Sequence, residues 1–397
     1  MTEEDSCRPG NGGALPTRAV HAGVGRDPAY GSVTTPIYPS STYDFPQPGE
    51  PPEFDYGRCD HPTRRSLEEN LAALEGAHQA WACVSGMAAI QVVLFLLRSG
   101  DHVIAPRDAY AGTTRLFRTL LVQAGVATSF VRMEDPEAVR AALRPETRLL
   151  WLETPTNPMM RLCDLREMVA IAREHGLLTV ADNTFLSPAR QRPLEHGVDF
   201  VVHSTTKYLN GHSDVIGGAV LCREATHAEA LDGIVRSVGV GQSPFDAWLV
   251  LRGVKTLAVR MAQHEANARQ AARFLQDRPE VAAVLYPGLP SHPQYDLASR
   301  QQDGPGGMLS VLLDPDRVDP VRFVQSTRVF RLAVSLGGVE SLLELPFSMS
   351  HASLEEAEKR AVGLVPGLVR FSPGIEAWED LQADLEQALA AAALPNS

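Results

Sequence analysis

Residues 148–185, "RLLWLETPTNPMMRLCDLREMVAIAREHGLLTVADNTF", place two short apolar runs on either side of a helical pattern, and that order decides the fold class. The runs "RLLWLE" and "LLTVA" are apolar almost throughout, as in strands covered on both faces. Between them, "DLREMVAIAREHG" reads as a helix, so the two strands are joined by a crossover and lie parallel. The alternation continues outward. "AWACV", "HVIAP", "ATSFV" and "DFVVHS" are further buried-strand runs, and "MAAIQVVLFLLR" is another helical pattern. The reading is an α/β protein whose mainly parallel sheet is flanked by helices.

The flanks of this block differ from it. Residues 1–60 are rich in Gly and Pro and include "PIYPSSTYDFPQPGEPPEFDYGR", which predicts an extended arm with more tyrosine and phenylalanine than a disordered tail carries. In "TRRSLEENLAALEG", Ser66 and Glu69 have the spacing of a capping box, Leu67, Leu71 and Leu74 share a face, and Gly76 is a stop signal. From about residue 244 one long helical stretch leaves the sheet. A second region then mixes "MLSVLLD" and "GLVRFS" with a closing helix, "AWEDLQADLEQALAAA". The predicted organisation is an arm over 1–60, a large domain over 61–255 and a smaller C-terminal α/β domain over 256–397.

Whole-chain properties narrow the function. At 397 residues and 44% hydrophobic content the chain can bury a large core. Its 36 basic against 48 acidic residues leave a net charge of −12, which argues against nucleic acid and for a small-molecule partner. No run of about eighteen apolar residues occurs, and the first residues are polar, so a cytoplasmic protein without membrane contact is expected. Cys7, Cys59, Cys83, Cys163 and Cys222 show no CxxC spacing and read as reduced thiols. His212 and Asp214 lack a third ligand, so no metal is expected.

In an open α/β sheet, ligands bind beyond the carboxyl ends of the strands, so the residues that follow each apolar run carry the most weight. After "AWACV" come Ser85, Gly86 and Met87 at a helix start. This is an ordinary N-cap or a phosphate seat, where unpaired N–H groups meet an anion. After "RLLWL" come Glu153 and Asn157. Asp182 after "LLTVA" is a solvated strand end or a buried carboxylate. Ser204, Thr206 and Lys207 follow "DFVVH", and Gly211, Gly217 and Gly218 come soon after. Lys207 is either a surface residue or a desolvated amine suited to a Schiff base. A phosphate seat, a nucleophilic lysine and a carboxylate for a ring nitrogen are together what pyridoxal 5'-phosphate (PLP) requires.

With "SGMAAI", "LETPTNP", "DNTF", "HSTTKYLNGHSDVIGG", "SPFDAWLVLRGVKTLAVRM", "YPGLPSHPQ", "SLGGVESL" and "GLVRFSPGIE" in order, the chain resembles the Cys/Met-metabolism family of PLP enzymes from about Thr17 to Leu389. That family includes cystathionine γ-lyases, cystathionine γ-synthases, methionine γ-lyases and homocysteine-forming sulfhydrylases. The resemblance implies an aspartate-aminotransferase-like (type I) fold. It also implies that Lys207 is the cofactor lysine and proton carrier, that Asp182 holds the ring nitrogen, and that Tyr110 stacks over the ring and shuttles protons. Gly86, Met87, Ser204 and Thr206 match phosphate ligands, and Asn157 faces the phenolic oxygen. Arg370, with Ser335, matches the grip on the substrate carboxylate. Tyr56 and Arg58 match residues that reach a neighbouring subunit's phosphate, which implies a homotetramer built from two dimers. Arg115, Glu340 and Asp55 match charged residues at the distal end of cystathionine, unless Arg115 and Glu340 form a structural ion pair. Cys59-Asp60-His61 and Ala111 depart from the family pattern at the entrance.

Together these favour γ-elimination of cystathionine, a sulfur amino acid, by a PLP-dependent carbon–sulfur lyase, with methionine γ-elimination and γ-replacement on a homoserine ester as alternatives. Gly112 stands where methionine γ-lyases carry cysteine. A catalytically silent PLP-binding protein would lose Tyr110 or Arg370, and a nucleotide-binding module would need a GxGxxG or P-loop that is absent here.

Overall fold

Seven strands make the larger sheet: β1 (Gln79–Cys83), β2 (His102–Pro106), β3 (Ala127–Val131), β4 (Thr147–Glu153), β5 (Leu178–Asp182), β6 (Phe200–His203) and β7 (Gly218–Cys222). They belong to a computed structural model that describes residues 13–394, apart from Arg26, Pro28 and Ser353; Cys7 lies outside the described residues. The strand order is β1-β7-β6-β5-β4-β2-β3. Only β7 runs antiparallel, pairing with β1 on one side and β6 on the other. All six strands read from the sequence form. β7 was not read, because its short apolar run "GAVLC" follows directly on the glycines of the lysine motif.

Alternate residues of the sheet enter cores on opposite faces. Trp151, Val180, Phe200 and Val202 pack with Val93 of the helix α3 (Gly86–Leu94) and with Phe117. On the other face, Val201 and Leu221 pack with Leu67, Leu71 and Leu74, while Leu150 and Ala181 pack with Leu165, Met168 and Ile171. Both faces are thus dry, which is why the strands read as continuous apolar runs.

The helix that carries those three leucines spans Pro62–Glu75, so it begins four residues before the expected Ser66. His61 is its N-cap, with Nδ1 accepting the Thr63 N–H at 3.2 Å, and Pro62 occupies the first helical position. Ser66 lies inside, donating to the Pro62 carbonyl at 3.3 Å, so the Ser66–Glu69 capping box does not form. Gly76 ends the helix at φ 70°, as expected. The arm is not extended throughout. Leu15–His21 is a helix, and the carbonyls of its Ala19 and of Ala22, which follows it, accept from Asn70 Nδ2 at 3.2 and 2.8 Å. Beyond it, Tyr30 and Val33 are more than 90% exposed.

The long helical stretch is two helices, Pro244–Val254 and Leu257–Gln276. They part where the Gly253 carbonyl is taken by Thr256 Oγ1 at 3.1 Å and by Arg260 Nη2 at 2.8 Å. The second helix joins both halves of the chain: Leu257 and Met261 enter the core below the large sheet, and Ala268–Leu275 the core of the smaller one.

The smaller sheet contains β8 (Val281–Leu285), β9 (Leu309–Leu313), β10 (Arg331–Leu332), β11 (Leu342–Glu344) and β12 (Leu368–Ser372) in the order β10-β11-β12-β9-β8. The closing helix Trp378–Ala392 packs on it, and its buried Asp384 accepts the N–H groups of Arg328, Val329 and Phe330 at 2.7, 2.8 and 2.9 Å. Asp384→Ala should strand these donors and lower stability by about 3 kcal/mol. Urea unfolding monitored at Trp378 checks this; an unchanged midpoint would contradict it.

Candidate active site

A cavity of about 450 Å³ opens at the carboxyl ends of the large-sheet strands and is closed from the far side by residues of the smaller sheet. Gly86, Met87, Tyr110, Arg115, Asn157, Asp182, Ser204, Thr206, Lys207, Ser335 and Arg370 all line it. Residues spread over nearly three hundred positions therefore meet in one place.

At one end, α3 begins against β6. The Ser85 side chain caps the helix by accepting the Ala88 N–H at 3.1 Å. By helix geometry the first N–H groups, those of Gly86 and Met87, have no intrahelical acceptor. Close approach demands glycine at Gly218, whose Cβ would lie 2.1 Å from the Ser85 carbonyl oxygen, and a Cβ on Gly86 would press tightly on Ser204 Cβ at 3.0 Å. Thr206 Oγ1 both donates to the Gly217 carbonyl at 3.1 Å and accepts its N–H at 3.0 Å. The result is a rigid concavity of backbone N–H groups and hydroxyls suited to an anion.

Asp182 ends β5. It keeps some accessible surface towards the cavity, yet burial raises its carboxyl above the usual range even though it accepts the Thr184 N–H at 3.0 Å. A cationic N–H brought against it would return it to the ionised form. Glu153 ends β4, buried, and burial and the nearby Asp182 raise it well above the usual range. Tyr110 is 42% exposed, with its ring against Gly112, where a Cβ would sit 2.4 Å from the ring.

Lys207 Nζ donates to Ser335 Oγ at 2.8 Å. Burial, and to a lesser degree the Arg370 charge, lower the lysine to about 8. Arg370 lies on β12, 3% exposed, 3.1 Å from Glu344, and donates to Asn157 Oδ1 at 3.1 Å and to the Ser335 carbonyl at 2.7 Å. Its Nε is buried without a partner. Ser335, which touches both cations, has φ 98°, a conformation L-residues seldom adopt and one that only surrounding structure holds. Glu344 was not singled out from the sequence, although a lone acid within the apolar "LLELP" was a signal for it.

Asp55 and Glu340, expected at the substrate end, do not line this cavity, and neither do Tyr56 and Arg58, expected to serve a neighbouring subunit. Tyr56 is 46% exposed, and Arg58 donates to the Arg236 carbonyl with its guanidinium 5.5 Å from the Tyr56 ring centre. Asp55 accepts the Tyr56 N–H at 2.6 Å. Glu340 lies outside the cavity wall and accepts the Ser213 hydroxyl. Arg115 is exposed at the mouth, and no Arg115–Glu340 ion pair forms among the described residues. Also among the described residues, no three His, Cys, Asp or Glu side chains cluster as metal ligands do, and no helix is long and apolar enough to cross a membrane.

An anion seat, an acid awaiting a cationic ring nitrogen and an amine half neutral near pH 8 are demands that PLP meets together, and the fold around them is that of the type I PLP-dependent enzymes. Residues 16–390 match the family model described as Cys/Met metabolism PLP-dependent enzyme, and the chain belongs to that family. It is 47% identical over 377 residues to the cystathionine β-lyase of Coxiella burnetii, covering 94% of this chain and 97% of that one. It is also 47% identical over 393 residues to the cystathionine γ-synthase of Mycobacterium tuberculosis, covering 98% and 100%. Among solved structures, the cystathionine γ-lyase of Lactobacillus plantarum with L-serine superposes with a TM-score of 0.94 at 39% identity, covering 96% of this chain and 100% of that one. The Xanthomonas oryzae cystathionine γ-synthase with aminoacrylate and cysteine gives 0.93 at 45%, covering 95% and 98%. The protein is a PLP-dependent enzyme of trans-sulfuration.

Because only the neutral amine of Lys207 is a nucleophile, cofactor uptake by the cofactor-free protein should quicken as pH rises through about 8 and level off above it. Stopped-flow absorbance measures this; a midpoint near the ordinary lysine value of 10.5 would contradict the desolvated amine.

Proposed function

We propose that the enzyme cleaves cystathionine by γ-elimination, giving cysteine, 2-oxobutanoate and ammonia. The observation that carries this reading is the pair of guanidinium groups, Arg370 and Arg115, lining one cavity. Arg370 suits one α-carboxylate as a bidentate clamp, and its unpartnered Nε favours this. Arg115 has no ion-pair partner among the described residues and answers a second carboxylate at the distal end. Cystathionine has carboxylates at both ends, whereas methionine has one. The L. plantarum γ-lyase supports the γ-position of cleavage. Glu340 takes no part in this reading, since it lies outside the cavity wall.

Bound PLP supplies a sink for negative charge at the substrate Cα. Gly86, Met87, Ser204 and Thr206 would hold its phosphate, Asp182 its ring nitrogen, Asn157 its phenolic oxygen, and Tyr110 would cover its ring. Arg370 fixes the substrate's carboxylate and so its Cα. Lys207, half neutral near pH 8, takes the Cα proton and then a proton from Cβ, whose electron pair expels the γ-sulfur, and the Ser335 hydroxyl at 2.8 Å steadies the amine between transfers. Tyr110, whose phenol burial pushes above its usual value, keeps a proton to give to the departing sulfur. Elimination from Cβ is favoured by the 47% identity to the C. burnetii β-lyase, and replacement by the similarity to the γ-synthases.

Products separate these readings. Purified enzyme with cystathionine should release 2-oxobutanoate in excess of pyruvate. Excess pyruvate would establish β-elimination, and faster cystathionine formation from a homoserine ester and cysteine would establish replacement. Arg115→Ala should lower kcat/KM for cystathionine about tenfold, equivalent to about 1–2 kcal/mol, and leave methionine unchanged. Equal losses for both substrates would make Arg115 structural.

Tyr56 and Arg58, away from their own cavity, are assigned to the phosphate of a neighbouring subunit, with the functional unit a dimer within a homotetramer. The exposed aromatic arm supports this. Inactive Arg58→Ala and Lys207→Ala chains, once mixed into hybrids, should regain part of the activity because one composite site is intact. No recovery in verified hybrids would mean that the arm serves its own chain.

A further inference from the structure

Glu153 lines the cavity without a role so far, and its position is costly. On β4 it is paired in register with Asp182 of β5, so both side chains leave the same face of the sheet, side by side, beneath the same cavity. Two carboxylates in that relation repel each other, and Glu153 is only 5% exposed. What offsets this is visible in its partners. Oε2 accepts the Tyr110 N–H at 2.8 Å, and Oε1 accepts the Asn157 N–H at 3.1 Å. The first donor belongs to the loop after β2, at the start of the helix Ala111–Leu116. The second belongs to the loop after β4, and the Asn157 side chain in turn accepts from Arg370 at 3.1 Å.

We infer that Glu153 is a positioning residue, a carboxylate cross-brace that fixes the Tyr110 wall of the cofactor slot relative to the Asn157–Arg370 wall. The residue type follows from the geometry. Two N–H donors from different loops converge on one side chain, each on its own oxygen, and a group with two acceptor oxygens satisfies both. Glutamine has one such oxygen and would turn its own N–H₂ towards the other donor. An apolar residue of equal size would remove the repulsion with Asp182 but leave two buried N–H groups unpaired. The brace reaches the chemistry through others. It touches no reacting atom, but it sets where the Tyr110 ring lies. Tyr110 is 42% exposed, so without the brace its ring is free to shift towards the open side of the cavity.

The inference rests on the assignment of Tyr110 to the cofactor ring, and its test keeps the two apart. Glu153→Gln and Glu153→Asp holoproteins are compared with wild type by visible absorption, visible circular dichroism of the bound cofactor, melting temperature and steady-state kinetics. Glutamine removes one acceptor; aspartate keeps both oxygens but withdraws them by one methylene, so that they cannot reach both donors. Both variants should retain the visible absorption band. Both should show weakened cofactor dichroism per bound cofactor, because the ring cover has shifted, and kcat should fall about tenfold. Wild-type dichroism in whichever variant folds, with activity lost only in proportion to melting temperature, overturns the brace and leaves Glu153 an ordinary fold element. A wild-type protein without a visible band overturns the assignment of the cavity itself, and the brace with it.

Discussion

The hydrogen bond from Lys207 to Ser335 is the contact on which the site depends, because it joins the two sheets where their charges meet. Lys207 follows β6 of the larger sheet; Ser335 precedes β11 of the smaller and offers its carbonyl to Arg370. Two cations thus share one small residue. Burial, and to a lesser degree the Arg370 charge, keeps the lysine near 8, and Glu344 on β11 lies 3.1 Å from the arginine beside it. If Ser335 relaxed from φ 98°, hydroxyl and carbonyl would turn away together, and neither cation would keep its place.

Much of this was legible in the sequence because buried parallel strands announce themselves. Each is a short apolar run, and the polar residue that ends it marks the ligand end of the sheet. Asp182, Glu153, Asn157 and Lys207 stand out in that way, and the ordered motifs then supply Tyr110 and Arg370 as a resemblance. The helix stop at Gly76 was equally plain, since only a left-handed residue ends a helix in this manner.

What escaped was decided by contacts distant in sequence. The start of the Pro62–Glu75 helix was misplaced because Ser66 and Glu69 have the right spacing, yet His61 and Pro62 supply cap and entry earlier. The break after Val254 depends on Arg260 reaching back to the Gly253 carbonyl, which no local propensity records. Glu340 matches a pattern, but it lies outside the cavity wall and accepts the Ser213 hydroxyl. The double duty of Glu153 is invisible until the loops after β2 and β4 are seen to converge on it.

The position of β7 bears on how the chain is made. β1 has a single neighbour in its sheet, and that neighbour is β7, which runs the other way and comes 139 residues after β1 if Gln79 and Gly218 mark their starts. A nascent chain emerges from its amino end, and domains fold as their parts become available. The strands β2 to β6 can pair with one another as they appear. β1 waits, and with it the start of α3, which Gly218 later presses against at the Ser85 carbonyl. The anion seat is therefore among the last parts of the large sheet to be built. Until Cys222 has cleared the ribosome, the sheet keeps an open edge at β6, and this stage of synthesis is where a second chain has its best opportunity to pair wrongly.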